Sequence, residues 1–171
     1  MDKDQIKDQW IVVSISGKLC ALELAFVQEV LARPALIRPP GTPQTIEGYF
    51  DLGGVAVVVI SIEPWLGLEK RSWDLYSPIL HLRQTNFPLG ILVHQALGIF
   101  LIPPEQRLLV PAEESFNGMI VGLAQIRDQP FTSEIALLST DRLLLAREKT
   151  ILQEYAHRAQ SRLLETQGNV T

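Results

Sequence analysis

The segment Val27–Gly67, VQEVLARPALIRPPGTPQTIEGYFDLGGVAVVVISIEPWLG, limits this stretch of the chain to short elements. Its aliphatic runs stand between proline and glycine breaks, which leave no room for a long helix. Residues 38–45 hold Pro39, Pro40, Gly41 and Pro43 and can only be an extended or turning connection. Strands are predicted at Glu47–Leu52 and Val55–Ile62. Gly53-Gly54 joins them, a doublet suited to a tight hairpin that needs positive φ. Pro64-Trp65-Leu66-Gly67 reads as a single turn that packs its tryptophan inward.

The flanks follow the same grammar. Trp10–Ile15 and Leu19–Leu22, separated by Gly17-Lys18, give a hairpin signal. From Glu23 to Leu31 the period changes: Leu24, Val27 and Val30/Leu31 fall at helical spacing, predicting one or two helical turns that stop before Pro34. Further short strands are predicted at Ile79–Leu82, Leu89–Val93, Ala96–Ile102, Met119–Ile126 and Glu134–Leu138, with an edge segment at Leu108–Val110. Asp128-Gln129-Pro130 turns between the last two. After Ser139, Thr140 or Asp141, any of which can cap a helix, no proline or glycine occurs until Gly168. Leu144, Ile151, Leu152, Tyr155, Ala159 and Leu163 form one apolar stripe there, with Arg142, Lys149, Gln153 and Gln160 placed off it.

Composition narrows the function. A content of 47% hydrophobic and 20% charged residues belongs to a well-buried globular domain. The net charge of −4 argues against nucleic acid as a partner. The N-terminus, MDKDQIKDQW, reads as neither signal nor anchor, and the aliphatic run Val55–Ile62 is far short of the roughly twenty residues a spanning helix needs. No direct membrane insertion is expected. The sole cysteine, Cys20, excludes an internal disulfide and suits a reducing cytoplasm.

The catalytic inventory is nearly empty. His81, His94 and His157 are not paired at ligand spacing, and no Walker loop, GxSxG, HExxH or GxGxxG occurs. Glu113-Glu114 lies in a polar segment without the burial that splits carboxylate pKa values. No catalytic residue, metal or cofactor is expected, which favours a binding module. The competing enzyme reading is a spatial site around Ser14, His81 or His94 on a β-barrel.

The order of parts resembles the CheW-like family, the coupling proteins of bacterial chemosensory arrays. WIVVSISGKLCALEL leads to a V-x-E-V motif, Val27-Gln28-Glu29-Val30; a proline-bounded crossing follows, then a hairpin with Gly48, Leu52 and Gly54, and Leu66-Gly67. In the second half come a Leu-Gly-Ile-Leu-Val strand, Ile-Pro-Pro at a strand end and Val121-Gly122-Leu123. The series covers roughly residues 9–145. The resemblance implies a mainly β fold: two SH3-like five-stranded barrels over a shared hydrophobic core, divided near 9–77 and 78–140. A tail at 1–8 precedes them and an amphipathic helix at 141–167 follows.

It also implies a cytoplasmic adaptor without catalysis, bridging the cytoplasmic tip of a chemoreceptor to the regulatory domain of a histidine kinase. The kinase-facing surface would include Glu29, Leu36, Gly48 and Gly54; the receptor groove would include Val27 and Gly53. The chain departs from the family pattern where Gly53 replaces an arginine, where Val58 and Ser61 stand for proline and aspartate, and at Val93-His94-Gln95-Ala96. Losing the arginine removes a cation and its planar fork of donors, so a diverged scaffold with one specialised partner is the alternative. The terminal helix is expected to dock on its own barrels, against the reading of an arm for self-association.

Overall fold

The computed structural model describes residues 7–83, 85–111, 113–115, 118–128, 131–143 and 146–169. β-Branched and aromatic residues make Gln9–Ile15 a strand (β1), and Ser16-Gly17, both at positive φ, turn it back into β2 (Lys18–Glu23). A 3₁₀ turn at Leu24–Phe26 leads into β3 (Val27–Leu31). The hairpin β4 (Ile46–Leu52) and β5 (Val55–Ile60) turns through Gly53 (φ 63°) and Gly54 (φ 91°), as the doublet predicts. A second 3₁₀ turn, Pro64–Leu66, buries Trp65. Then follow β6 (Ile79–Leu82), β7 (Leu89–Leu92), β8 (Gln95–Leu101), β9 (Arg107–Leu109), β10 (Ile120–Asp128), β11 (Phe131–Leu138) and α1 (Ala146–Gly168).

The helix predicted over Glu23–Leu31 is replaced by one 3₁₀ turn and a strand. A bulge between Val27 and Glu29 explains the false period. It sets Val27 opposite Leu82 and Val30 opposite Leu80, so two apolar residues three apart share one face of a strand. The predicted start of the terminal helix at residue 141 is also displaced. Ser139 Oγ accepts the Arg142 N–H in a turn ahead of the helix. Of the turn Asp128-Gln129-Pro130, the last two residues lie outside the described set, as does Leu144 of the apolar stripe.

Two sheets result, a six-stranded one in the order β8-β1-β2-β11-β10-β9 and a five-stranded one in the order β3-β6-β7-β5-β4. A cut at 77/78 does not separate them. The N-terminal hairpin belongs with the C-terminal strands, because β2 pairs in parallel with β11, and the five-stranded sheet is built from the middle of the chain. Ile11, Val13, Leu22, Val27, Ile60 and Leu80, from both sheets, meet in one central core. Leu152 and Ala156 of α1 belong to the same core. Each such aliphatic contributes about 1.5–3 kcal/mol by leaving water, and this shared burial holds the sheets together.

One buried group runs against that apolar logic. Glu63, 0% exposed, has no hydrogen-bond partner on either carboxylate oxygen among the described residues, while Lys70 pairs with neighbouring Glu47. Burial raises its pKa above the usual carboxylate value of 4.5; its own backbone amide and Lys70 oppose that rise, and Glu47 adds to it. With a folded pKa above the unfolded one, the neutral carboxyl's contribution is intact below the unfolded value. It is lost as pH rises through the folded value. Glu63→Met, of similar length and without charge, is therefore expected to melt higher than the parent at about pH 7–8. The gap should close as the pH falls toward 4.5, and melting curves across pH check this. An advantage independent of pH would refute the assignment.

Candidate functional site

Apolar side chains normally end where a sheet meets water; on two edge strands here they do not. Residues directly opposite across a ladder share a face. Ile11 lies in the central core, and Ile99, its partner on β8, is 57% exposed. Leu101, two residues on and 61% exposed, continues that face. On the other sheet Leu80 lies in the same core, and Val30, its partner on β3, is 45% exposed. The faces that carry the shared core thus run out into solvent at both β3 and β8, leaving an apolar surface continuous with the interior.

The residues assigned by resemblance fall at the two ends of the five-stranded sheet. Val27 and Glu29 lie on β3, one edge. Val27 is 4% exposed and packs in the core, so it supports the surface without forming it. Glu29 Oε1 lies 3.1 Å from His81 Nδ1 across the ladder, on the face opposite Val30. Leu36, Gly48, Gly53 and Gly54 gather toward the other edge, on or beside the β4–β5 hairpin. Gly48, at φ 142°, sits where a Cβ would come within 2.6 Å of Ile37 O and 3.2 Å of Leu36 Cβ. The backbones close in at this point because Ile37 and Tyr49 exchange N–H···O bonds of 2.8 and 3.0 Å. Gly53 is exposed, and a Cβ there would meet nothing within 4 Å.

Gly54 is not open to a partner in the same way. Its carbonyl accepts from Gln160 Nε2 (3.1 Å), and the Ala56 N–H donates to Gln160 Oε1 (2.8 Å). The Gln160 amide takes the place of a strand where β7, paired with β5 only from Val58, has not yet begun. The sequence reading set Gln160 off the packed face, yet it anchors the helix to the hairpin. Ala159 and Leu163 pack on Tyr49 and Ala56 beside it. Ile151, expected in the stripe, is exposed, and Ala156 takes its place in the core. Val30, Ile99 and Leu101 were missed, although alternation in QALGIFL was a signal available in the sequence.

The constellation around Ser14, His81 and His94 does not assemble a base and a nucleophile. His94 donates its backbone N–H to Ser14 O (2.9 Å), but its Nδ1 accepts from the Ser16 N–H (3.0 Å) and its ring stacks on Trp73 at 4.2 Å. Burial lowers the His94 pKa, against the opposing pull of the nearby Arg71 and Ser72 backbone carbonyls. The imidazole is thereby held neutral as a clasp between the β7–β8 connection and the first hairpin. Among the described residues no hydrogen bond joins the Ser14 hydroxyl to either histidine, and His81 is engaged by Glu29. Burial pushes the Cys20 thiol up to about 12, which removes it as a nucleophile. An open groove of ≈ 750 Å³ lies between β8 and β9–β10, but its arginine, Arg107, is committed to Asp8 and to Ile102 O.

Among the described residues no helix is long and apolar enough to cross a membrane. The CheW-like domain family model matches residues 9–148. A chemotaxis protein of Helicobacter pylori, CheV3, is 29% identical over 79 residues, 46% of this chain. The match spans a quarter (25%) of that protein's length. The scaffolding protein TtCheW from Thermoanaerobacter tengcongensis has a similar crystal structure, with TM-score 0.72 and 21% identity, covering 86% of this chain and 94% of that one. At that identity the likeness is one of fold.

Proposed function

This chain belongs to the CheW-like domain family, and we propose that it is a non-catalytic cytoplasmic adaptor that couples chemoreceptors to the regulatory domain of a histidine kinase. The observation that carries the reading is the apolar core surface left open at Val30, Ile99 and Leu101. An amphipathic receptor helix lays its apolar residues into such a surface. Leu36 and Gly48, with Glu29, are proposed to face the kinase, and Gly53, at the open hairpin tip, the receptor. Val27 acts from beneath by holding β3 in place. We also read each sheet as an SH3-like barrel. The Ile37–Tyr49 bridge supports closure of the five-stranded one, since it returns the chain leaving β3 to the free edge of β4.

The test is co-sedimentation and calorimetry with the cognate receptor hairpin tip and the kinase regulatory domain, each separately. Val30→Asp and Ile99→Asp are expected to weaken receptor binding at least roughly tenfold each, through lost apolar contact, while kinase binding and melting temperature hold. Failure to bind either partner at tens of micromolar, on the order of 6 kcal/mol, would overturn the adaptor reading. Binding to the kinase domain alone would favour the specialised scaffold, for which the open, arginine-free Gly53 is the motive. Gly53→Arg should then restore receptor affinity.

A further inference from the structure

We infer that the cleft between the proline crossing and α1 is a docking site for a short acidic segment of a partner protein, one that presents an apolar side chain beside its carboxylates. The cleft is lined by Pro40, Thr42, Tyr49, Tyr155, Arg158 and Arg162, and encloses ≈ 170 Å³. Small-molecule sites run to about 300–1,000 Å³, so the space suits one side chain and not a metabolite. Its floor is rigid: Tyr49 and Tyr155 meet edge to face at 6.5 Å, and the Thr42 hydroxyl lies 3.2 Å from the Tyr155 hydroxyl. Exposed Ile151 extends the apolar end, in line with Tyr155 one turn on.

The cationic end sets the chemistry. Arg158 and Arg162 stand four residues apart on one helix face, where like charges repel, and neither guanidinium has an ion pair or hydrogen bond among the described residues. Lys70 and Arg107, by contrast, are held by Glu47 and Asp8. Glu154 lies on the same rim at the spacing that could serve Arg158, yet forms no pair with it. Arg38, exposed at the far side, spends its guanidinium on the Thr42 and Pro43 carbonyls at 3.5 Å, which braces the crossing. Two unpaired guanidiniums against one carboxylate, in a chain of net charge −4, make this a local positive site. Guanidinium forks favour carboxylate partners. The site stands apart from the surface at β3 and β8 and does not depend on the coupling reading.

The test titrates the full ¹⁵N-labelled chain with the peptide acetyl-Leu-Asp-Glu-amide, following arginine Nε–H signals and the Tyr155 amide. Saturable shifts at Arg158, Arg162 and Tyr155 are expected, weakened about tenfold by Arg158→Gln combined with Arg162→Gln. The unfolding midpoint should not move, because both side chains are exposed. The peptide acetyl-Leu-Asn-Gln-amide should bind no better than the double variant does. Equal binding of that neutral peptide, or equal affinity for inorganic phosphate, would overturn the inference. So would the same shifts on raising the protein concentration without peptide, which would make a second copy the occupant.

Discussion

Leu152→Ala is expected to lower the unfolding free energy by about 3 kcal/mol, as much as Leu80→Ala in the middle of a sheet. Both side chains are buried in the core that joins the two sheets. Truncation at either place leaves a cavity whose walls are held on several sides by strands. A helix that merely lay on the surface would relax into the gap at small cost. Urea unfolding of the two variants decides this, provided the m-value is unchanged. If Leu152→Ala costs less than about 1 kcal/mol, α1 is an appended arm, and its unburied face becomes a candidate for self-association. The Gln160 anchor makes the first outcome the expected one, because the helix is also tied to the backbone of Gly54 and Ala56.

The strands and the hairpin were legible because their signals are local. Gly53-Gly54 states its own turn, and Pro64-Trp65-Leu66 states its own 3₁₀ turn with the tryptophan inside. What could not be read is what depends on partners far along the chain. The bulge at Val27–Glu29 lets a strand carry a helical spacing, and only β6, some fifty residues later, exposes it. The parallel pairing of β2 with β11 has no trace in either segment, so a division of the chain into successive halves was the natural error. The same holds for the candidate site. Its proposed family positions rest on motif order, and motif order does not report exposure. Val27 lies inside, while Val30, Ile99 and Leu101 lie outside on the same core-bearing faces.

Gly48→Ala separates two roles that the sequence alone cannot distinguish. The resemblance makes Gly48 part of a kinase-facing surface, whereas the geometry gives it a reason of its own. At φ 142° an L-residue is strained, and its Cβ would meet the Ile37 carbonyl oxygen at 2.6 Å. That oxygen cannot retreat easily, since it accepts the Tyr49 N–H at 3.0 Å. Strain and forced displacement together predict a loss of about 3 kcal/mol, or roughly 6–12 °C in a domain of this size. Gly53→Ala, at φ 63° with open space around it, should cost only about 1–2 kcal/mol. Binding is then compared at a temperature where the Gly48 variant remains folded. If kinase affinity falls while the unfolding midpoint does not, Gly48 is a contact surface and the backbone account fails. If stability falls by the expected amount and the residual folded protein binds normally, the glycine serves the Ile37–Tyr49 closure, and the kinase is recognised by the side chains around it.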